Sequence, residues 1–335
     1  MPGIPISISS RLNDTIFGDV QGPLAALIRQ EYDRYQNGDF VHWPKIFKEF
    51  QLKQKNAVFG ESTSIGQFED VGEGGAYPQS EIRDGFKKTL EAEEWKNSFS
   101  ITQTAVEDML DFVLKDRSKE LIGSYYRTKN AFFWGLLGAA LNNTDHVTPK
   151  KRKISIKTKD GVNLFSQSHK MANAGGTICN AFSDAFSATA LGKAAEKMQN
   201  MKDDNGEILG LNPDTIIIPN LEAAKSTVFG VVGAHNDPTT PASNKFNYQF
   251  GNWNVLVVPW LAAFQPQSGF NWILMDSTYN ETAHGAIDIE RIPLNIKSDL
   301  APNDDNEWKG RCRFSGAFYE FRAFVAGGVS FGASL

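Results

Sequence analysis

The strongest helical pattern in the chain lies between residues 104 and 142. Apolar side chains return there every three or four positions, at Val106, Met109, Leu110, Val113, Leu121, Ile122, Tyr125, Phe132, Phe133, Leu136, Leu137 and Ala140. This spacing predicts one amphipathic helix of about 55–60 Å, at ~1.5 Å per residue. Thr104 and Glu107 fit a capping box at its start. Gly123, Gly135 and Gly138 each weaken a helix by roughly 1 kcal/mol, which leaves room for a bend or a break.

Weaker patterns predict three further helices and six strands. An amphipathic helix follows Pro23 and ends at Asn37, a second covers 183–202, and a short third begins at the cap residue Asn220 and ends near Gly230. The strand candidates are 154–157, 215–219, 255–258, 272–275, 286–292 and 311–325. Because helices gather early in the chain and strands late, the fold class is predicted to be α+β.

Residues 66–103 read as a long two-stranded arm. Two polar runs typical of strands flank a turn marked by residues 72–75 and Pro78, since clustered Gly and Pro are strong turn signals. An isolated hairpin is only marginally stable in water. The arm therefore needs a surface to lie on, and a neighbouring subunit would supply one. This pattern predicts a protein whose function is assembly.

The arm is strongly acidic. From Glu61 to Lys96 it holds nine acids and four bases, a net charge of −5 that equals the charge of the whole chain. A solvated charged loop is one interpretation, and docking against a basic surface of a neighbouring subunit is the other. The docking hypothesis names the arm residues Glu69, Asp70, Glu73, Arg83, Lys87 and Lys88. It pairs them with the helix residues Arg117, Lys119, Arg127 and Lys129.

Composition excludes several classes of protein. A net charge of −5 and a pI near 5.6 argue against a dedicated nucleic-acid binder, which would carry a basic domain. Two distant cysteines form neither a disulfide framework nor a zinc site. No signal peptide is visible, and the longest apolar run, 131–141, is well short of the roughly 20 residues that span a membrane. We therefore expect a soluble intracellular protein that does not enter a membrane.

The sequence contains only weak matches to catalytic or metal-binding motifs. Residues 328–332 match the G-x-S-x-G nucleophile elbow, but all five histidines precede Ser330, whereas the elbow requires a later one. A soluble serine hydrolase using Ser330 is the rival hypothesis from another class. The histidines show no metal-ligand spacing, so no catalytic residue, cofactor or metal is expected. The basic run 149–153 is either a solvated turn or a contact for nucleic-acid phosphates.

Four segments taken together resemble a known family. They are 72–110, which contains FSIT before an acidic helix start; 161–169 with 174–177; 202–219; and 308–322. Their order and spacing, over roughly residues 22–326, resemble the major capsid proteins of tailed bacteriophages. These have the Hong Kong 97-type fold, and the Mu-like major head subunits are the most similar group.

The resemblance implies an arrangement of parts. Residues 1–55 would be an N-terminal arm and 56–100 an extended loop that overlaps a neighbour. A peripheral domain with a long spine helix would take 101–170 and 286–318, and an axial domain 171–285 and 319–335. Some relatives join an extended-loop lysine covalently to a neighbour's asparagine. Lys87 and Lys88 lie in the corresponding segment, but no asparagine or promoting glutamate is identified.

The resemblance also implies the function of a non-catalytic shell subunit. It would form hexamers and pentamers of an icosahedral head, with double-stranded DNA held by nonspecific contacts. Because the arm starts almost at Met1, we expect a separate scaffolding protein; a portal is a further partner, and a decoration protein remains open. The protein would be in the virion, and in the host cytoplasm during assembly. An encapsulin-like compartment shell, which shares the fold, is the nearest alternative.

Overall fold

A computed structural model describes most of the chain: residues 6–7, 25–35, 43–62, 68, 70–77, 79, 84–102, 104, 111–173, 175–233, 247–300 and 305–335. Two units are distinguished by their internal contacts. The first comprises Met1–Ala57, Glu91–Phe133 and Asp288–Gly316. The second comprises Val58–Leu90, Trp134–Ile287 and Ala317–Leu335. Both contain helix and sheet, and the predicted four-part division into arm, loop, peripheral and axial domains stays a prediction.

The described helices are α1 (25–35), α2 (Asp111–Leu141), α3 (Ala188–Gln199), α4 (Glu222–Val232) and α5 (Ser277–Thr282). The long predicted helix is confirmed as α2, and its end agrees with the prediction to within one residue. Residues 105–110 lie outside the described part of the chain, so the predicted capping box is not tested. The helix α2 continues through its three glycines without a break.

Two of those glycines allow close packing in the second unit. A Cβ added at Gly135 would lie 2.6 Å from the ring of His146, and one added at Gly138 would clash with the ring of Phe264. Real Cβ atoms do not approach ring carbons so closely. The glycines therefore bring other side chains against the helix backbone, which explains their presence in a helix that they weaken.

The caps of the two middle helices differ from each other. Ser187 caps α3, because its hydroxyl accepts a hydrogen bond from the backbone N–H of Ala190 at 3.0 Å. The predicted helix 183–202 is thus confirmed in a shorter form. Helix α4 has Leu221 at its N-cap position with no side-chain hydrogen bond, so the predicted cap at Asn220 is wrong.

The described strands are β1 (Ile6–Ser7), β2 (Lys48–Gln51), β3 (Asn56–Ser62), β4 (Asp84–Glu91), β5 (Glu93–Ile101), β6 (His146–Val147), β7 (Lys153–Ile154), β8 (His169–Lys170), β9 (Thr177–Ile178), β10 (Thr215–Pro219), β11 (Asn254–Val258), β12 (Trp272–Met275), β13 (Ala286–Leu300), β14 (Asn306–Phe318) and β15 (Phe324–Gly327). The first unit contains the sheet β1–β13–β14–β5, with β2 also paired to β13. Strands β14 and β5 are antiparallel, with Cys312 opposite Trp95. The ring of Trp95 stacks on Phe314 with centroids 5.0 Å apart, which packs this sheet against α2.

The second unit contains the sheet β11–β10–β12–β15. Strand β10 runs parallel to β11 and antiparallel to β12. Every residue of β10, β12 and β15 is buried, as expected for strands covered on both faces. Leu191 and Met198 of α3 and Val228 of α4 belong to the same hydrophobic core cluster as this sheet.

Three strand predictions need correction. The predicted strand 311–325 is two strands, β14 and β15, which join different sheets because the chain turns after Phe318. The predicted strand 286–292 continues to Leu300. The predicted strand 154–157 is only the end of the two-residue strand β7, which pairs with β6.

Candidate assembly surface

The predicted arm exists as a two-stranded sheet, but with different strands. Strand β3 pairs with β4, so the first strand precedes residue 66, where the arm was predicted to start. The second part of the predicted arm, β5, belongs to the large sheet of the first unit instead. Its alternation of half-buried and exposed residues suits a strand packed on one face. We call the segment β3–β4 and its connection the hairpin.

The connection carries exposed aromatic side chains. Phe68 is fully exposed (107%) and Tyr77 nearly so (95%). Between them, the N–H of Gly75 donates to the carbonyl oxygen of Gly72 at 2.9 Å, and Gly74 has φ +79°, which favours glycine. The turn predicted at residues 72–75 is thus confirmed. Exposed rings beside a glycine turn provide apolar surface that an interface would bury.

Two of the three acids predicted for the assembly surface of the hairpin lie in segments that the structure describes. Asp70 and Glu73 are exposed, as a docking surface requires. Glu69 and Arg83 lie outside the described residues.

The base of the hairpin is fixed to the second unit by Lys88. Its ammonium donates hydrogen bonds to the carbonyl oxygens of Phe318, at 2.6 Å, and Lys157. Burial lowers the pKa of Lys88 to about 8, although the nearby Asp160 favours the charged form. Strand alternation places Lys87 on the opposite, exposed face. Of the two lysines predicted for the assembly surface, Lys87 is thus exposed, whereas the ammonium of Lys88 is held by carbonyl oxygens of its own subunit. Their part in the assembly surface stays a prediction.

The basic residues predicted on α2 also separate into two groups. Arg117, Lys119 and Arg127 are exposed, and Arg127 forms an ion pair with Glu120. Lys129 does not reach the surface, because its side chain is only 6% exposed. Its assignment to the assembly surface was wrong.

Lys129 occupies the core of the first unit. Its ammonium lies 3.2 Å from a carboxylate oxygen of Asp288 and 3.3 Å from one of Glu290. The indole N–H of Trp43 donates to the same Asp288 oxygen at 3.2 Å. The ammonium also lies 5.1 Å from the centre of the Phe314 ring. This cluster joins the segment around Trp43 to α2 and β13.

The cluster contains more acidic than basic side chains. Burial alone would lower the pKa of Lys129, but the carboxylates, Asp288 foremost, outweigh it and hold the pKa well above its usual range. Burial raises the pKa of Asp288 despite the attraction of Lys129. Partial burial, followed by repulsion from Glu290 and Asp288, raises the pKa of Glu49 on β2. The single buried cation is therefore essential to the charge balance of this core.

Three of the segments that carried the resemblance meet in the second unit. The ring of His169 stacks on Phe321 with centroids 3.8 Å apart. The next residue, Arg322, forms an ion pair with Asp204 at 2.8 Å and another with Glu320 at 3.1 Å. Segments 161–169, 202–219 and 308–322 are thus joined by direct contacts, which sequence spacing alone could not reveal.

The serine motif lacks the geometry of a nucleophile elbow. Strand β15 ends at Gly327, and no helix follows it in the described segment 305–335. A Cβ at Gly332 would clash with the backbone at Phe182, so this glycine serves packing. Among the described residues, no cluster of three or more His, Cys, Asp or Glu side chains suits a metal ion. No described helix is long and apolar enough to span a membrane.

The sequence pattern of a protein family described as phage capsid protein matches residues 87–327, which is more than half of the chain. The chain belongs to the phage capsid protein family. It is a structural major capsid protein, and its location is the virion. Assignment to the Mu-like group stays a prediction.

A solved capsid structure shows that this capsid protein has the Hong Kong 97-type fold. The capsid of Ralstonia phage GP4 is similar with a TM-score of 0.54 and 10% identity, over 88% of this chain and 89% of that chain. Mycobacterium phage Adephagia matches with 16% identity over 94% of both chains, with a TM-score of 0.46. A virus-like particle from Pyrococcus furiosus matches with 9% identity over 91% of this chain and 97% of that chain, with a TM-score of 0.45. No curated protein matches the chain.

Proposed function

We propose that the capsid protein forms hexamers and pentamers of an icosahedral head that encloses double-stranded DNA. The observation that carries this proposal is the hairpin, whose connection exposes Phe68 and Tyr77 to water. An isolated two-stranded sheet is marginally stable, and exposed aromatic rings add a further cost. Both costs are removed when the hairpin lies on a neighbouring copy in a shell.

The contact between copies is proposed to be charge-matched. The acids Asp70 and Glu73 would face the exposed bases Arg117, Lys119 and Arg127 of a neighbour. Each exposed ion pair contributes only ~0–1 kcal/mol, so the charges mainly fix the register and make assembly sensitive to salt. Lys129 has no part in this contact, since it is buried within its own subunit, and the ammonium of Lys88 is already engaged by carbonyl oxygens of its own chain.

The further partners follow the same proposal. A separate scaffolding protein would guide assembly in the host cytoplasm, a portal would occupy one vertex, and a decoration protein could cover the outside. The role is structural, without catalysis. DNA would be held by weak nonspecific contacts, because an acidic chain offers few sites for phosphates and phosphate affinity scales with basic contacts.

Sedimentation of purified subunits, with the scaffolding protein supplied, tests the proposal. The wild type should form species of six and five copies, and reversal of Arg117, Lys119 and Arg127 to Glu should weaken them without unfolding the subunit. The matched control reverses Lys150 and Lys151, which are exposed on the β6–β7 turn, and Lys153, which is exposed at the start of β7, so the charge change is the same. Equal behaviour of the two triple variants would contradict the charge-matched contact.

The content of the particles tests the enclosed cargo separately. Heads filled with double-stranded DNA agree with the proposal. Closed shells that hold a copurifying enzyme and no DNA would instead indicate an encapsulin-like compartment.

A further inference from the structure

The first unit contains an apolar groove that neither the family nor the proposed function explains. It lies between α2 and the strands β5 and β14, and its volume is about 130 Å³. The side chains of Trp95, Leu121, Tyr125, Leu294 and Phe314 line it, together with the polar residues Lys96, Asn97, Ser124 and Thr128. An apolar cavity of roughly 150 Å³ holds one benzene molecule. The groove therefore has the size and chemistry to take one aromatic ring.

The hairpin offers such a ring. Phe68 is fully exposed at 107%, and its side chain has no polar atom that would need a partner inside an apolar site. Tyr77 is also exposed, but its hydroxyl would need a hydrogen bond there. Phe68 is thus the better match to the lining of the groove.

The charges around the two surfaces are complementary. Residues 68–77 contain three acids and no base. At or directly beside the lining residues of the groove, the exposed bases are Lys96, Arg127, Lys309 and Arg311. These bases pair with the acids Glu94, Glu120, Glu307 and Asp299 of their own chain. Exposed pairs of this kind are weak, so an acidic segment that carries an aromatic ring competes for the bases beside the groove, which favours this segment over an uncharged apolar ligand.

We propose that the groove receives the Phe68 ring from a second copy of the chain. This inference rests on the proposed function, because it requires neighbouring copies in one assembly. It gives the hairpin a defined binding site between α2, β5 and β14. The proposed contact between the hairpin acids and the bases of α2 does not by itself define such a site.

Photo-crosslinking tests the site directly. A benzophenone amino acid replaces Phe68 in shells that are assembled from equal amounts of ¹⁵N-labelled and unlabelled subunits. Irradiation should join residue 68 to peptides containing 121–128 or 310–314, with labelled and unlabelled partners mixed. Cross-links to any other surface would overturn the inference, and so would cross-links confined to peptides of a single isotope.

Variants of the groove provide an independent test. Ser124 lines the groove, so Ser124→Trp should fill it, whereas Ser124→Ala removes the same hydroxyl and leaves the groove open. Phe68→Ala should weaken association of copies by roughly ten- to a hundred-fold, the effect of losing one buried ring. Ser124→Trp should weaken it similarly, and the double variant should be no weaker than either single one. Ser124→Ala should weaken it far less than Ser124→Trp does, because the groove stays open. Ile208→Ala, which alters an exposed apolar residue outside the hairpin and the groove, should assemble as the wild type does.

The outcomes separate this inference from the proposed function. If Phe68→Ala and Ser124→Trp both assemble into closed shells with wild-type affinity, the groove has no such occupant, and the proposed function is unaffected. If the wild type forms no assembly under any condition, the proposed function fails, and the groove inference fails with it. Circular dichroism of each unassembled variant checks that the subunit is folded.

Discussion

Replacement of Lys129 by Met tests whether the buried charge cluster holds the first unit together. Methionine keeps the length and apolar character of the stem but removes the cation. Asp288 and Glu290, whose side chains are only 5% and 13% exposed, would then lie in the core with no counter-charge. Removing one partner of a buried ion pair costs about 3–5 kcal/mol. That is a large share of the ~5–15 kcal/mol by which a typical domain is stable.

The assay is urea unfolding of unassembled subunits, followed by tryptophan fluorescence. Lys129→Met should lower the free energy of unfolding by about 3–5 kcal/mol at neutral pH, and by less at pH 5, where protonation relieves the unpaired carboxylates. The matched control is Arg127→Met on the same helix, whose exposed pair with Glu120 contributes only ~0–1 kcal/mol.

A triple replacement gives a compensating test. Lys129→Met combined with Asp288→Asn and Glu290→Gln should recover part of the loss, since no buried charge is left without a partner. The reasoning is refuted if Lys129→Met unfolds at the same urea concentration as Arg127→Met.

Three further predictions concern packing and pH. Gly138→Ala should destabilise the protein by about 1–3 kcal/mol, because the ring of Phe264 blocks the new methyl group. In Gly123→Ala the methyl group would meet the hydroxyl of Tyr35 at 3.3 Å, so a small shift of that side chain offsets the gain in helix propensity and the change should be close to neutral. Thermal unfolding of both variants distinguishes packing from helix propensity. Burial lowers the pKa of Lys88 from 10.5 to about 8. Between these two pH values the folded state holds fewer protons than the unfolded state, so the free energy of unfolding should rise with pH across that window. A rise that persists in Lys88→Gln would contradict the assignment of this pH dependence to Lys88. Burial and two neighbouring carboxylates raise the pKa of Glu49 above 4.5. As the pH rises from 4.5, the folded state therefore keeps this proton longer than the unfolded state, and the free energy of unfolding should fall until both states have lost it. Glu49→Gln should flatten this fall, as measured by urea titration at several pH values.

Local patterns in the sequence predicted the elements whose structure is decided locally. The spacing of apolar residues gave the correct end of α2, and the apolar runs gave strands β10 and β12 with their bounds. The glycine turn at 72–75 was also correct, since the required backbone conformation favours glycine. These features depend on neighbours within a few positions.

Features that depend on distant residues could not be predicted in this way. The residues of β5 suit either a hairpin or a sheet, and their partner strand β14 lies about two hundred positions later. Lysines are nearly always exposed, so Lys88 and Lys129 were placed on the surface. Their burial depends on Phe318 and Asp288, which are 230 and 159 positions away.

In the candidate assembly surface, too, some features follow from local sequence and others depend on distant residues. The exposed acids Asp70 and Glu73 follow from local sequence, because a polar glycine turn has no core to face. The apolar groove does not, because α2, β5 and β14 each contribute only part of its lining. Its detection required the tertiary structure.

Electron cryomicroscopy of shells assembled from purified capsid protein and its scaffolding protein tests the central claim most directly. The account predicts closed icosahedral shells of hexamers and pentamers, in which the β3–β4 hairpin of each subunit lies on an adjacent copy. Fields that contain only separate single subunits at every concentration, or shells in which each hairpin folds onto its own chain, would contradict it.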